Sequence, residues 1–552
     1  MVRWRAGVIV LLAALVGAPL VLPFAELAAD PAAWAAWRDA PRLFELARTT
    51  ATLVASVLVI DLPLGIILAV LLYRSDMPGR VALRRVVVVS LFVPLPLLTS
   101  AWQAALGGGG WLGPTDPGRP WAVGMRAAVW VHAAAGLPWV VWLVGQGLCW
   151  VEPEAEEDAR LAAGSGRVLW RVTLARARGA ILAAAAWVAL LTAQEITVTD
   201  MTQVRTFAEE VYTQFVLPDA AGGLAPDVSV ARAVAVALPL TVLVALAVGL
   251  AAWRWEWAVP PLGSAPEPRP LVELGAGRWP AAAAVLAVVG VFVAVPVASL
   301  VWKLGLHGYP AAWSATTAEH YLALVTRVHA GLIAESLSAA AVAGLIAAGL
   351  ALMACWLARD SWAVRAVLVA VVALAWAVPG PVAGAGLKAA IERLVDAEER
   401  LAGPGPVRAA LYDGPSPAPV VWANIVRFFP CAVALLWPVV RLVPDVLTDA
   451  ARVDGARPGG ELRYAIWPLA APATGRAAVA VGVLALGELS ASKLVATPGG
   501  GTFAHEVFTR MHYGVANHLA ALCLLLLGVA VVPTTLLLFI RRAGFAQVGN
   551  GQ

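Results

Sequence analysis

Apolar runs of about twenty residues recur along the whole chain, separated by short polar segments. A helix needs about 20 residues to cross the hydrocarbon core of a bilayer. The runs therefore predict six spans in the first half, at about 7–28, 48–73, 86–107, 122–148, 179–199 and 229–253. Six more are predicted at about 280–304, 331–357, 364–388, 419–442, 473–495 and 515–540. Between them, Arg254–Arg278 breaks the pattern with proline and charge. The expected fold is an all-α polytopic membrane protein of twelve helices, with a first unit at 1–253, a linker at 254–278 and a second unit at 279–552. Met1–Arg5 followed by Gly7–Leu27 has the outline of a secretory signal. Its apolar stretch is too long for one and predicts an uncleaved first span.

Composition narrows the class. Apolar residues make up 61% of the chain and charged residues 13%, with a mean hydropathy of +0.80, against about 25% charge in a soluble domain. The bilayer is thus an obligatory partner, and no nucleic acid is expected. The four cysteines, Cys149, Cys355, Cys431 and Cys523, lie within or at the ends of apolar runs without paired spacing, as small buried side chains do. Tryptophans near span ends (Trp4, Trp121, Trp150, Trp253, Trp257) read as interfacial anchors.

The placement of basic residues sets the expected orientation. Arg74, Arg80, Arg84 and Arg85 follow span 2, Arg160–Arg178 follows span 4, and Arg452–Arg476 follows span 10; Arg541-Arg542 begins the tail. If every span crosses once, these share one side with Met1–Arg5. The opposite loops hold less base: Gly108–Trp121 has only Arg119, and Asp200–Val228 sets Arg205 against Glu209, Glu210, Asp219 and Asp227. Ala389–Pro417, with Arg393, Arg400 and Arg408 beside Glu392, Asp396, Glu398 and Glu399, fits least well. Both termini, the linker and the polar segments after spans 4 and 10 are expected in the cytoplasm.

Six pairs of short matches, in order, point to one duplication. Arg74-Ser75-Asp76 answers Arg359-Asp360; Val93-Pro94-Leu95-Pro96 answers Val378-Pro379-Gly380-Pro381; Pro138 answers Pro430. The polar islands after spans 4 and 10 match, and Glu195-Ile196-Thr197-Val198-Thr199 answers Glu488-Leu489-Ser490-Ala491-Ser492. TFAEEVYT at Thr206–Thr213 answers TFAHEVFT at Thr502–Thr509. An even number of spans per copy leaves both copies the same way up, with a pathway between them.

The second island, Thr448–Pro468, reads helix, tight turn, helix: Asp449-Ala450-Ala451 before the break at Gly455, then Ala465-Ile466-Trp467-Pro468. It resembles the EAA loop of binding-protein-dependent ABC importer permeases, and the stretch 445–470 corresponds to that loop. The first copy, within 152–178, has Glu157-Asp158-Ala159, then Ala163 where the family has glycine, Gly164 one later, and Arg176 in place of the proline. The resemblance implies a type I ABC importer fold in which these loops form short coupling helices docked on separate ATPase subunits, a homodimer, that use the ATP. It also implies a periplasmic or lipid-anchored substrate-binding protein, and a bacterial inner membrane. Two fused permease units are typical of the ferric-iron type, and occur in thiamine and some phosphonate systems. No G-x-x-x-x-G-K-[ST] occurs in the chain, so the expected role is a transport subunit, not an enzyme, with no cofactor of its own.

Ionisable groups in the spans are functional candidates. Glu195 with Thr197 and Thr199, and Glu488 with Ser490 and Ser492, hold equivalent positions in the spans that line the pathway in the resembled family. They suit a cation or a hydrated metal complex, or equally anchor helix ends near water. Asp61 and Glu335 are expected as structural partners between spans, Arg427 as a snorkelling side chain; Lys493 completes the set. The two TFA stretches read as amphipathic helices with Phe207, Val211 and Phe215, and Phe503, Val507 and Met511, at spacing four. Phe207, Glu210, Phe503 and Glu506 are candidates for a periplasmic rim touching a binding protein. His505 alone makes no metal site. A secondary transporter of the major facilitator type also has two parallel six-span units. Here, however, Leu72 and Met77 occupy the leading glycine and the arginine of that family's motif between spans 2 and 3.

Overall fold

The computed structural model describes residues 1–107, 110–112, 121–216, 226–258, 270–308, 312–403, 405–513 and 516–543. Arg119, Asp219 and linker residues 259–269 lie outside them, as do the side chains of Phe215, Asp227, Trp253, Trp257, Arg541 and Arg542. Among the described residues the regular structure is helical apart from one two-stranded antiparallel ribbon, Leu306–His307 with Ala312–Trp313, and an isolated bridge between Ser75 and Val272. Nine helices there are long and apolar enough to cross a membrane, or up to twelve if each of three bent pairs is one span. The protein is an all-α, multi-pass membrane protein.

The first half runs α1 (Val2–Ala29), α2 (Ala40–Arg74), the bent pair α3 (Arg80–Ser90) and α4 (Leu95–Leu106), α5 (Met125–Cys149), α6 (Pro153–Ala162), the bent pair α7 (Ser165–Arg176) and α8 (Arg178–Gln194), α9 (Phe207–Val216) and α10 (Pro226–Ala258). The second runs α11 (Gly275–Gly305), α12 (Ala315–Val328), α13 (Ala330–Arg359), the bent pair α14 (Trp362–Ala377) and α15 (Gly380–Ala402), α16 (Ala418–Arg441), α17 (Asp445–Val453), α18 (Pro458–Ala485), α19 (Phe503–Tyr513) and α20 (Ala516–Ala543). The order of elements recurs, with α12 added and the α7–α8 pair replaced by the continuous α18.

Proline sets the two sharpest bends. It cannot donate an N–H to the preceding turn, and it forces its predecessor out of the helical region. At Pro94 and Pro379 the chain is extended, and the flanking helices turn by 105° and 117°. Expected spans 3 and 9 are therefore not straight. α15 also continues to Ala402, well past the expected end at 388, and carries most of the charges assigned to the 389–417 loop, Arg408 excepted. It is amphipathic, with Lys388 and Glu392 3.9 Å apart and Arg393 3.1 Å from Glu26 at the end of α1. A helix lying across this end of the bundle explains why the charge pattern there fitted a simple loop poorly. The fifth spans stop early as well: α8 ends at Gln194 and α18 at Ala485, so Glu195, Glu488 and Lys493 lie just beyond the spans.

Each half is centred on its second, fourth and fifth spans: α2, α5 and α8 in the first, α13, α16 and α18 in the second. Small residues let them approach; a side chain at Gly344 would collide with the Ala478 carbonyl, and one at Gly136 with Asp61. Asp61 is fully buried between these helices with neither carboxylate oxygen hydrogen-bonded, so it is not the paired residue expected. Glu335 is exposed on α13, not set between spans as expected.

The halves are interleaved by exchange of their outer spans. The second part of α1 packs on α15, and the end of α11 packs on α4. α10 lies against α14, and α20 against α3 and α4. Trp422 of α16 donates to the Leu15 carbonyl of α1 at 2.7 Å, and Trp111 donates to Ser299 of α11 at 2.9 Å. The broken third span of each half thus lies under the first and last spans of the other.

Candidate functional site

The second polar island is a helix, a left-handed turn and a second helix. α17 places Asp449 and Ala450 in solvent and Ala451 half-buried. Gly455 has φ +79°, where a side chain is disfavoured. Its N–H donates to the Arg452 carbonyl at 3.0 Å and that of Ala456 to Ala451 at 2.9 Å, closing the helix by the two-bond pattern that a left-handed glycine allows. Arg452 ties the island together. Its Nε and Nη2 donate to the buried Glu461 at 2.9 and 3.3 Å, and Nη2 also donates to Asp360 past the end of α13 at 2.8 Å. These bonds, Glu461 first and Asp360 second, raise the guanidinium above its ordinary pKa. Trp356 of α13 donates to Glu461 at 3.2 Å, and Arg359 pairs with Asp445. At the tip Val453 is 87% exposed.

The first island makes the same connection with different residues. Glu157 and Asp158 of α6 are exposed and Ala159 half-buried. The turn has no left-handed residue: Ala163 and Gly164 are both extended, at φ −150° and −66°. Here the buried acid is Glu156. It pairs with Arg74 at the end of α2 and accepts from Thr173 at 2.7 Å. Arg176, at the position of the missing proline, pairs with Glu152, and Arg160 donates to the Leu271 carbonyl. Leu271 and Val272 in turn donate to the Arg74 carbonyl at 2.7 and 3.0 Å, tying the end of the linker to the end of α2 beside the first island. The tip residue Leu161 is 89% exposed.

At the centre, each fifth span ends against the broken third span of the other half. Gln194 Nε2 donates to the carbonyls of Trp376 and Ala377 at 2.6 and 3.3 Å, groups that the bend at Pro379 leaves free. Gly487 lies against Pro94, where a side chain would sit 3.0 Å from Pro94 Cβ. Arg427 does not snorkel; Nη1 donates to the Val378 carbonyl at the same bend, at 3.0 Å. Glu195 accepts from the N–H groups of Thr197 and Val198, both at 2.7 Å. Glu488 accepts from Ala491 and Ser492 N–H at 2.8 Å and from Ser490 Oγ at 3.0 Å. Thr199 and Ser492 hydroxyls donate to the carbonyls of Glu195 and Glu488, each at 3.2 Å. Both oxygens of each acid cap the short turn that follows, an anchoring role for groups also weighed as cation ligands.

Beyond these turns α9 and α19 form a rim. Phe207 N–H donates to Thr50 of α2 at 3.1 Å, and Phe503 N–H to Ser336 of α13 at 2.9 Å. Phe207 is half-buried and Phe503 buried. Glu210 is buried and accepts from Arg42 at 2.7 Å, whereas Glu506 accepts from Arg510 at 2.7 Å. His505 meets Ser492 Oγ at 2.9 Å, and burial lowers its pKa to about 4 against the pull of Glu488. Among the described residues, side-chain contacts join the rims of the halves: Lys493 Nζ to Tyr212 OH at 2.9 Å, with Phe508 beneath it at 4.8 Å, and His512 to Asp200 at 3.2 Å. Lys493→Met removes a hydrogen bond from a charged donor, worth about 1.5–3 kcal/mol. It is expected to raise the rate of thiol labelling of a cysteine at Ser490, in a background lacking the natural cysteines, by roughly tenfold or more. An unchanged rate would show that the contact does not hold the mouth closed.

No family model and no curated protein sequence matches the chain.

Proposed function

We propose that this chain is the membrane-spanning permease subunit of an ATP-driven ABC importer, built of two permease units. The observation that carries the reading is the pair of polar islands. Each lies between the fourth and fifth spans of its half, offers acids and one almost fully exposed apolar residue, Leu161 or Val453, and is clamped by a buried acid, Glu156 to Arg74 or Glu461 to Trp356, near the end of the second span. An exposed apolar tip beside acids suits docking into a groove with basic groups. The partner is a dimer of separate ATPase subunits, which bind and hydrolyse the ATP. Movement of an island would reach the second span through Arg74–Glu156 or Arg452–Asp360. It would reach the mouth along α18, which ends at the Glu488 turn.

On this reading the islands and termini are cytoplasmic, the rim meets a substrate-binding protein, and the membrane is a bacterial inner membrane. Fusion of two units leans towards ferric iron as substrate. The acids after α8 and α18 add little to that lean, because both oxygens of each are engaged as caps. Thiamine, phosphonate and other small solutes fit the same frame.

The test is reconstitution in liposomes with the cognate ATPase and binding protein. Asp449→Asn combined with Gly455→Val removes the exposed acid and places a β-branched residue at φ +79°. Uptake per ATP hydrolysed is expected to fall by roughly tenfold, the effect of about 1.4 kcal/mol of lost coupling. Unaltered uptake would sink the coupling assignment. Uptake driven by a proton gradient without the ATPase would favour a secondary transporter instead.

A further inference from the structure

At the rim of the second half, three side chains from separate elements converge. His329 closes the turn between α12 and α13, Glu506 lies on α19, and His518 is in the first turn of α20. The two Nε2 atoms stand 3.2 Å apart, His329 Nε2 is 3.9 Å from Glu506 Oε1, and one ligand atom from each residue lies within 4.8 Å of the others. Both imidazoles are buried. Two nitrogens bound to one tetrahedral zinc at about 2.0–2.1 Å are separated by roughly 3.3 Å. The histidine pair is already at ligating separation, and the carboxylate has roughly 1 Å to close, within reach of a side-chain rotation.

The backbone around the cluster is fixed from outside it. Asn517 Nδ2 donates to the carbonyls of Lys303, Leu304 and Leu306 at 3.0, 3.0 and 2.8 Å, which holds the turn carrying His518. The Phe503 N–H to Ser336 bond holds α19 on α13. Ligands on anchored elements are what a specific metal site requires.

The first half shows what the cluster replaces. There Glu210, the counterpart of Glu506, is held by Arg42, two turns before Thr50. In the second half His329, two turns before Ser336, takes the corresponding end of the second span. A permanent cation has given way to an imidazole that faces a second imidazole. Arg510 occupies one Glu506 oxygen from the same helix, so a metal shares the carboxylate with it or displaces it.

We propose that His329, His518 and Glu506 bind one zinc ion, which clasps the α12–α13 turn, α19 and α20 together at the mouth of the second half. Imidazole and carboxylate ligands favour zinc over magnesium or calcium, and three protein ligands leave a fourth position for water. The inference is independent of the importer reading. The test uses the full chain purified in detergent, stripped with a chelator and titrated with Zn²⁺. The expected result is saturable binding of one zinc per chain, weakened roughly tenfold or more by His329→Asn or His518→Gln. His320→Asn, at an exposed site on α12, should leave it unchanged. Co²⁺ in place of zinc should give the intense visible bands of a tetrahedral site. If either histidine variant cannot be purified, that spectrum in the unmodified chain decides. No saturable binding, binding equal in the histidine variants, or an octahedral Co²⁺ spectrum overturns the proposal.

Discussion

Replacing Arg74 by methionine is expected to destabilise the protein by about 3–5 kcal/mol, the cost of leaving a buried charge without its partner. Arg74 and Glu156 are 6% and 7% exposed, and they join the end of α2 to α6. Methionine keeps most of the volume of the arginine stem, so the loss comes from the orphaned carboxylate and not from a cavity. Thr173 donates to one Glu156 oxygen at 2.7 Å and cannot supply the missing positive charge. The double variant Arg74→Met with Glu156→Leu is expected to regain most of the stability, because a buried ion pair replaced as a unit by apolar side chains is often neutral. Thermal unfolding in detergent measures both. A single variant as stable as the unmodified chain, or a double variant no better than the single one, contradicts the assignment of this pair as the clamp of the first island.

The same pair shows where sequence reading stops. The spans are legible because a bilayer demands about 20 apolar residues in a row whatever else the helix does. The glycine turn at Gly455 is legible because a reversal between two helices needs a residue that tolerates positive φ. Glu156 is not distinguishable from Glu157 and Asp158 in the sequence: its burial depends on Arg74 and Thr173. Glu461 depends likewise on Trp356 and Arg452. The zinc candidates are missed for the same reason, since His329 and His518 lie 189 residues apart and meet only through packing. Pro94 and Pro379 announce breaks, but the size of the bends is not written locally; in the fold α15 runs beneath the first span of the other half. The apolar Ile196, Val198 and Leu489 carry the hydrophobic pattern past the true ends of α8 and α18, so both spans read too long in the sequence.

The interleaving of the halves makes a second large effect predictable, at Gly386. A side chain there would fall on the Pro19 carbonyl oxygen and 2.6 Å from Pro23 Cγ, where α15 crosses α1. Gly386→Leu is expected to cost more than the 1–3 kcal/mol or so usual for overpacking, because the main obstacle is a backbone atom that cannot turn aside. Leucine is the better helix former by roughly 0.8 kcal/mol, so any loss must arise from the contact between helices. Leu at Gly349, where an added Cβ meets nothing within 4 Å, supplies the control. If the chain is cut within 259–269 and the two pieces are co-expressed, the unmodified pieces and the Gly349→Leu pair are expected to co-purify. The Gly386→Leu pair is expected to lose most of its association, because α1 can no longer lie on α15. Full co-purification of that pair would mean that the halves are held together elsewhere, by contacts such as α11–α4, α10–α14 and α20 on α3 and α4.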